Sequence, residues 1–369
     1  MLRVALDATP LLGDRTGVGN AVAGTLRALA ARRDLHVGAY GLTLTGWRAL
    51  PAALPAGVQP ASLPMPAGPL LRLWAHVDIP RAELWTGTVD VVHGTNFVVP
   101  PARRAARLVS VWDMTPVRFP QLATATSRRY PNLIRRAVRA GAWVHTGSSF
   151  VAAEIVEHFG VPPERVKVVP PGVDRPASRQ PKTGGRPYVL GLGRVEPRKD
   201  FPGLVRAFDE LAGSHPDLEL VVAGPPGWDE DRLGQAVRAS PYRDRIRRLG
   251  WVDDAASLIA GAQVFAYPSL YEGFGLPPLE AMALGVPVVA TSAGAVPEVV
   301  GEAALLVAPG DTAALAGALE RLLSDAAARA ELVAAGERRA GLFTWEACAE
   351  GLVDAYRQLA RRAPRRRPT

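Results

Sequence analysis

The feature that most constrains this chain is a rhythm that runs its whole length and restarts once. Short apolar runs, long enough for strands, lie at 2–7, 36–41, 89–93, 107–112, 142–146 and 166–169, and again at 187–192, 218–223, 246–250, 263–268, 286–291 and 304–307. Helical patterns fill the spaces at 20–33, 150–159, 202–213, 255–261, 277–284, 312–323 and 326–340. Such alternation predicts parallel sheets with crossover helices. A polar stretch from Arg175 to Arg186, with Pro176, Pro181, Gly184 and Gly185, breaks the series, and Tyr188-Val-Leu-Gly-Leu-Gly then repeats the strand-to-glycine opening of the N-terminus. The expected fold class is α/β, with two Rossmann-like, doubly wound parallel-sheet domains at 1–172 and 173–344 facing across a cleft, and a basic tail at 363–369. A length of 369 residues suits two domains. No shorter period is present, which excludes a solenoid. Open parallel sheets bind ligands beyond the carboxyl ends of their strands, so function is expected there.

Composition removes several classes. The single cysteine, Cys348, excludes an internal disulfide framework and a cysteine-ligated zinc site, and reads as a small buried residue on a helix. The opening Met-Leu-Arg-Val-Ala-Leu-Asp lacks the features of a secretory signal, and the longest apolar runs, such as Val286 to Thr291, are far too short to span a bilayer. The expected location is cytoplasmic, including the peripheral inner face of the cell membrane. The net charge of +8 is uneven: residues 1–172 carry 19 Lys/Arg against 10 Asp/Glu, whereas 173–369 carry 24 against 25. A basic first half fits an anionic membrane surface or an acidic acceptor, and equally an arginine-rich solubilising composition. The helical stretch 122–140, with Arg128, Arg129, Arg135, Arg136 and Arg139, has the same two readings. No nucleic-acid module or stacking platform accompanies these arginines, so no nucleic-acid partner is expected.

Three segments carry the chemistry. Thr16-Gly17-Val18-Gly19-Asn20 reads as a glycine loop before a helix, suited to an anion or simply to a tight turn; Val22 stands where a dinucleotide fingerprint needs its third glycine. Gly191-Leu-Gly193-Arg194-Val-Glu196-Pro197-Arg198-Lys199-Asp200 packs three cations around a helix start, which suits a diphosphate or a solvated helix end. Pro268-Ser269-Leu270-Tyr271-Glu272-Gly273-Phe274-Gly275-Leu276-Pro277-Pro278-Leu279-Glu280 places two carboxylates eight positions apart around a glycine turn. Pro277 and Pro278 predict a helix start, which puts Glu280 in the first turn, where the dipole favours an acid. Paired carboxylates also accept hydroxyl hydrogens from a sugar or ribose.

Residues 268–287 resemble the E-x7-E signature of retaining glycosyltransferases of the GT-B fold, family 4. Gly193-Arg194 with Lys199 is similar to that family's G-R-x4-K element, and Thr16 to Gly19 to its N-terminal glycine loop. Pro170-Pro171-Gly172-Val173-Asp174, Ser148-Ser149-Phe150, Pro297-Glu298-Val-Val-Gly301 and Phe343-Thr344-Trp345-Glu346 resemble further family elements in the family's order. The resemblance implies that Arg194 and Lys199 contact a donor diphosphate, that Glu280 holds the nucleotide ribose, and that Glu272 holds the donor sugar. Gly17, Gly19 and Gly193 and the amides of Gly273, Phe274, Gly275 and Leu276 would complete the donor site. It implies no cofactor, no divalent metal and no covalent nucleophile, and a final helix, 345–362, that crosses back to the first domain. Many relatives read His-Asp where this chain reads Trp112-Asp113. Asp113 then orients the acceptor or caps the following turn, Trp112 and His93 are candidate contacts for the acceptor or the sugar, and His93 is otherwise bonded structurally to a loop.

The expected activity is transfer of a hexose, mannose from GDP-mannose, to a hydroxyl of a glycan or lipid-linked acceptor with retention, the acceptor on the basic first domain. The competing expectations are a nucleotide-sugar epimerase on the same fold and a non-catalytic nucleotide-sugar-binding scaffold or regulatory subunit. Glu272→Ala and Lys199→Ala are each expected to abolish transfer and leave the fold intact.

Overall fold

The structure, a computed structural model, describes residues 1–13, 17–61, 63–175 and 185–362. Thr16, most of the interdomain stretch and the tail from 363 lie outside the described residues. The chain divides into two compact units, Met1–Gly172 with the C-terminal segment from Thr344, and Val173–Phe343.

The first unit is built on β1 (Leu2–Asp7), β2 (Leu35–Tyr40), β3 (Gln59–Pro60), β4 (Val91–Gly94), β5 (Ala106–Ser110), β6 (Trp143–Thr146) and β7 (Val166–Val168). They form one parallel sheet in the order β3-β2-β1-β4-β5-β6-β7. The second unit uses β8 (Tyr188–Leu192), β9 (Glu219–Ala223), β10 (Ile246–Gly250), β11 (Val264–Tyr267), β12 (Val288–Thr291) and β13 (Leu305–Val307), parallel in the order β10-β9-β8-β11-β12-β13. Successive strand residues point to opposite faces, so Leu190, Val221 and Phe265 enter one buried cluster while Val189, Val222 and Val264 enter another beneath the second layer of helices. Both faces being covered explains why these strands read as continuous apolar runs. The strand order reverses direction between β1 and β4 in the first sheet and between β8 and β11 in the second, which are the places where a crevice opens for ligands.

Helix starts follow their caps. Ser148 accepts from the Val151 amide to open Ser149–Phe159, and Asp200 accepts from Gly203 to open Phe201–Leu211. The final helix, Trp345–Arg362, lies in the first unit, where Cys348, Leu352, Val353 and Tyr356 join the core with β1 and the Gly17–Ala30 helix. Burial pushes the Cys348 thiol up to about 11, so this cysteine is an inert core residue. Gly24 is where that helix presses closest: a Cβ there would stand 2.2 Å from the Trp345 ring.

Three expectations need correction. Gly17 and Gly19 do not form a loop; both lie in the first turn of Gly17–Ala30, the segment before it being outside the described residues. Glu280 is not in a first turn: Gly275, at φ +110°, caps the Leu276–Ala283 helix, so Glu280 is its fifth residue, beyond the unpaired amides that a first-turn acid would serve. The apolar run at 107–112 ends as a strand at Ser110, which leaves Trp112 and Asp113 in the loop beyond it. The helices Ala67–Trp74, Glu230–Ala239 and Val296–Val300 and the two-residue edge strand β3 are not among the predicted elements: the first lies among prolines, the second is largely polar, and the last two are only five and two residues long.

Candidate functional site

At the reversal point of the second sheet, the loops after β8 and β11 bring five charged side chains together. Lys199, buried at the end of a short turn, donates from Nζ to Glu272 Oε1 at 2.5 Å and to the Tyr267 hydroxyl at 2.9 Å. Arg198 donates to Glu272 Oε2 at 2.9 Å and from Nε to Glu196 Oε2 at 2.9 Å. Arg194, at the rim, donates to the Pro226 carbonyl at 3.0 Å and lies 3.8 Å from Glu196. Burial alone would raise the Glu272 pKa, but Arg198 and Lys199 outweigh it and hold the carboxyl at about 2. Burial lowers the Lys199 pKa against the pull of Glu272, and the close carboxylate keeps the amine charged. The cluster therefore holds a fixed carboxylate between two cations, with lone pairs left on each oxygen for hydroxyl donors.

Beside it stands the N-terminus of Leu276–Ala283. Pro277 and Pro278 have no N–H to offer, and among the described residues the amides of Phe274, Gly275 and Leu276 have no acceptor. Unpaired amides at a helix start next to cations make a site for an anion. The Phe274 ring belongs to the core, edge-on to Phe343 at 5.9 Å, so only its backbone faces this site. Gly193 follows β8 directly, its amide held by the Ala223 carbonyl at 3.0 Å. Glu280, half-buried, has no hydrogen-bond or ion-pair partner among the described residues. Burial, with the like charge of Asp174 second, pushes it up to about 7.

Because the Glu280 pKa is raised on folding, the folded protein holds that proton more tightly than the unfolded chain, and stability is lost as pH rises from 4.5 through about 7. Glu280→Gln, which imitates the neutral form, is expected to match the parent in melting temperature below pH 4.5 and to exceed it above pH 7. Parallel melting curves with unchanged pH dependence would refute this.

The first unit's residues behave differently. His93, expected as a contact for sugar or acceptor, is buried and fully occupied: Nδ1 lies 2.7 Å from the Tyr356 hydroxyl and Nε2 2.8 Å from Ser110 Oγ. Ser110 Oγ also lies 2.7 Å from His145 Nδ1, and His145 Nε2 lies 3.0 Å from the Val169 carbonyl. Since that carbonyl can only accept, one arrangement of protons satisfies the whole chain: Tyr356 donates to His93, His93 to Ser110, Ser110 to His145, and His145 to Val169. Burial pulls both imidazoles down, His145 to about 4, so both are neutral. His93 is thus a structural residue that ties the last helix to the sheet. Trp112 donates from Nε1 to the Thr95 carbonyl at 2.8 Å, and Asp113 Oδ1 accepts from the Thr115 amide at 2.8 Å, which is the turn-capping role.

Asp7 was not singled out in the sequence. It ends β1 at the first sheet's reversal point, buried, with Oδ1 accepting from the Thr9 amide at 2.8 Å, and burial raises it to about 6. An acid closing the first strand of a doubly wound sheet was the available signal. Arg198 and Tyr267 were also unassigned, although Arg198 belonged to the visible trio of cations.

The two doubly wound parallel sheets are those of the GT-B fold. Anabaena Alr3699/HepE, solved in complex with UDP and glucose, matches 97% of this chain and 100% of its own with a TM-score of 0.74 at 17% identity. WaaG, a glycosyltransferase involved in lipopolysaccharide biosynthesis, matches 95% of this chain and 98% of its own with a TM-score of 0.72 at 18% identity. Residues 15–175 match the family described as Glycosyltransferase Family 4 and residues 186–325 the one described as Glycosyl transferases group 1. The O-antigen chain mannosyltransferase B of Escherichia coli is 33% identical over 299 residues, 76% of this chain and 78% of that protein. The MMP alpha-(1->4)-mannosyltransferase of Mycolicibacterium hassiacum is 35% identical over 245 residues, 64% of this chain and 56% of the relative. The chain belongs to glycosyltransferase family 4, and it is an enzyme.

Proposed function

We propose that this enzyme transfers mannose from GDP-mannose to a hydroxyl of a glycan or lipid-linked acceptor, with retention of anomeric configuration. The observation that carries the donor half is the Lys199–Glu272–Arg198 cluster beside the unpaired amides of 274–276. The choice of mannose rests on the two mannosyltransferase relatives.

In this reading Lys199 and Arg194 hold the donor diphosphate and neutralise the charge that grows on it as the glycosidic bond breaks, which is electrostatic stabilisation by groups already in place. Glu272 accepts from sugar hydroxyls, the amides of Phe274 to Leu276 serve the phosphate or sugar, and Glu280 holds the ribose. Each cation is fixed before the donor arrives, Lys199 by Glu272 and Tyr267 and Arg194 by the Pro226 carbonyl, so little reorganisation is left for the reaction. The leaving phosphate takes the acceptor proton on the same face as the departing bond, and no side chain forms a covalent intermediate. Charge compensation by arginine and lysine means that no divalent metal or other cofactor is required. The acceptor binds the first unit, where Asp113 retains its second carboxylate oxygen for it while Oδ1 caps the turn.

The test is a melting panel of GDP, GDP-mannose, UDP and UDP-glucose, each with and without EDTA, followed by a transfer assay. A ligand at a hundredfold excess over its Kd stabilises by about 2.7 kcal/mol. The expected result is a shift with the guanosine pair alone, unchanged by EDTA. A shift with uridine ligands alone overturns mannose, and loss of the shift in EDTA overturns metal independence.

A further inference from the structure

We propose that Glu196 sets the affinity of the donor site: it is a carboxylate built in among the phosphate-binding cations, where it competes with the diphosphate for Arg194 and keeps the nucleotide product from being held too tightly. The turn after β8 places it there. Glu196 immediately precedes Pro197–Lys199, and its carbonyl accepts from the Lys199 amide at 2.8 Å, so the acid and the two cations that follow it share one turn of backbone. Its carboxylate oxygens are divided between two arginines. Oε2 accepts from Arg198 Nε at 2.9 Å, and Oε1 lies 3.8 Å from Arg194 Nε. The side chain is only 13% exposed, so this is not an acid turned out to water. The pairs run in alternating sign, Arg194–Glu196–Arg198–Glu272–Lys199. Three cations against two carboxylates leave one positive charge, less than a diphosphate would match.

Holding the arginines in place is the ordinary use of such an acid. Here other groups do that. Arg198 is also fixed by Glu272 Oε2 at 2.9 Å and by the Tyr271 carbonyl at 3.4 Å, and Arg194 by the Pro226 carbonyl at 3.0 Å. The loop that carries this carbonyl is itself tied down, since Val195 donates to the Pro225 carbonyl and accepts from the Asp229 amide, each at 3.2 Å. What is left to Glu196 is its charge. Arg194 is the most open of the three cations, and a phosphate drawn to it must share the guanidinium with Glu196. Two anions on one cation repel, and donor and diphosphate product feel this alike because both carry the same group. Binding common to substrate and product adds nothing to the chemical step and slows release, so a built-in competitor favours turnover. The inference rests on the proposed donor site and adds the residue that limits its affinity.

The experiment is calorimetric titration of the full chain, parent and Glu196→Gln, with GDP, UDP and the phosphate-free guanosine. The variant is expected to bind the nucleoside diphosphate about tenfold more tightly; two like charges about 4 Å apart at a protein surface repel by more than this, and salt screens part of it. Guanosine should bind both proteins alike. In the transfer assay KM and the inhibition constant of the diphosphate product should fall together, without a rise in kcat. A purely structural role has the opposite sign, because looser arginines would bind the diphosphate more weakly. Glu219→Gln removes the same charge at the other end of the sheet, where Glu219 begins β9 and pairs with Arg247 at 3.2 Å, and should leave the affinity unchanged. The proposal is overturned if Glu196→Gln binds the diphosphate equally or more weakly, if Glu219→Gln gains as much, or if guanosine gains too. A parent that binds UDP alone, with the gain in Glu196→Gln intact, removes guanosine from the donor reading and leaves Glu196 its role. A parent that binds neither diphosphate overturns the donor site and this inference with it.

Discussion

Lys199→Met is expected to lower transfer by roughly a hundred- to a thousandfold, the scale set by removing one preorganised group that stabilises developing charge. Glu272→Gln is expected to abolish detectable transfer and to destabilise the fold by about 3–5 kcal/mol, because it leaves the buried Lys199 as an uncompensated cation and takes from Arg198 one of its two carboxylates, Glu196 remaining. The sequence suggested that such variants would keep an intact fold. The structure revises that, since the carboxylate that would bind the sugar is also the counter-ion of both cations. The double variant separates the two roles. With Lys199→Met beside Glu272→Gln one buried cation is gone, so stability should recover part of the loss, with a coupling of about 0.5–3 kcal/mol, while transfer stays as low as in the worse single variant. Chemical denaturation of the four proteins and a transfer assay on each give the result. Additive stabilities, or near-parental turnover in Glu272→Gln, would remove Glu272 from the proposed site.

The same ion cluster shows what a sequence can and cannot carry. Strands and most helices were legible because each is a local pattern: β10 falls on 246–250 and the helix Ala326–Ala340 on 326–340, as the apolar spacing predicts. The family elements were legible because they are short and keep their order. What was lost depended on distance along the chain or on one backbone torsion. Arg198 meets Glu272 across 74 positions and His93 meets Tyr356 across 263, so neither pairing leaves a local trace. His93 therefore looked as available as any polar residue at a strand end. Glu280 was assigned to a first turn because two prolines mark helix starts, yet the left-handed Gly275 begins the helix one residue earlier than 277 and moves the carboxylate past the unpaired amides. The helix Ala67–Trp74 sits among Pro64, Pro66 and Pro69, which read as punctuation when Pro64 and Pro66 are in fact its approach and Pro69 part of its first turn.

Gly294→Ala is expected to cost transfer about a hundredfold although residue 294 need touch no substrate. Its φ is +57°, and a Cβ there would stand 2.2 Å from the Glu272 carbonyl oxygen, which also accepts from the Ala295 amide at 2.9 Å. The left-handed conformation alone costs an alanine roughly 1–2 kcal/mol. The clash is a separate effect, and the atom the new Cβ meets is backbone, so it must move the loop that carries Glu272. A displacement near 1 Å of a positioning group costs on the order of a hundredfold in rate. Gly310 isolates the two effects: at φ +80° it has a similar torsion, but nothing lies within 4 Å of its missing Cβ. Gly310→Ala should lose about the same stability from strain and keep its transfer rate, whereas Gly294→Ala should lose both. If the two variants fall equally in kcat at matched folded fraction, the placement of Glu272 by this close approach is not what sets the rate, and the carboxylate tolerates more movement than its bonds to Lys199 and Arg198 imply.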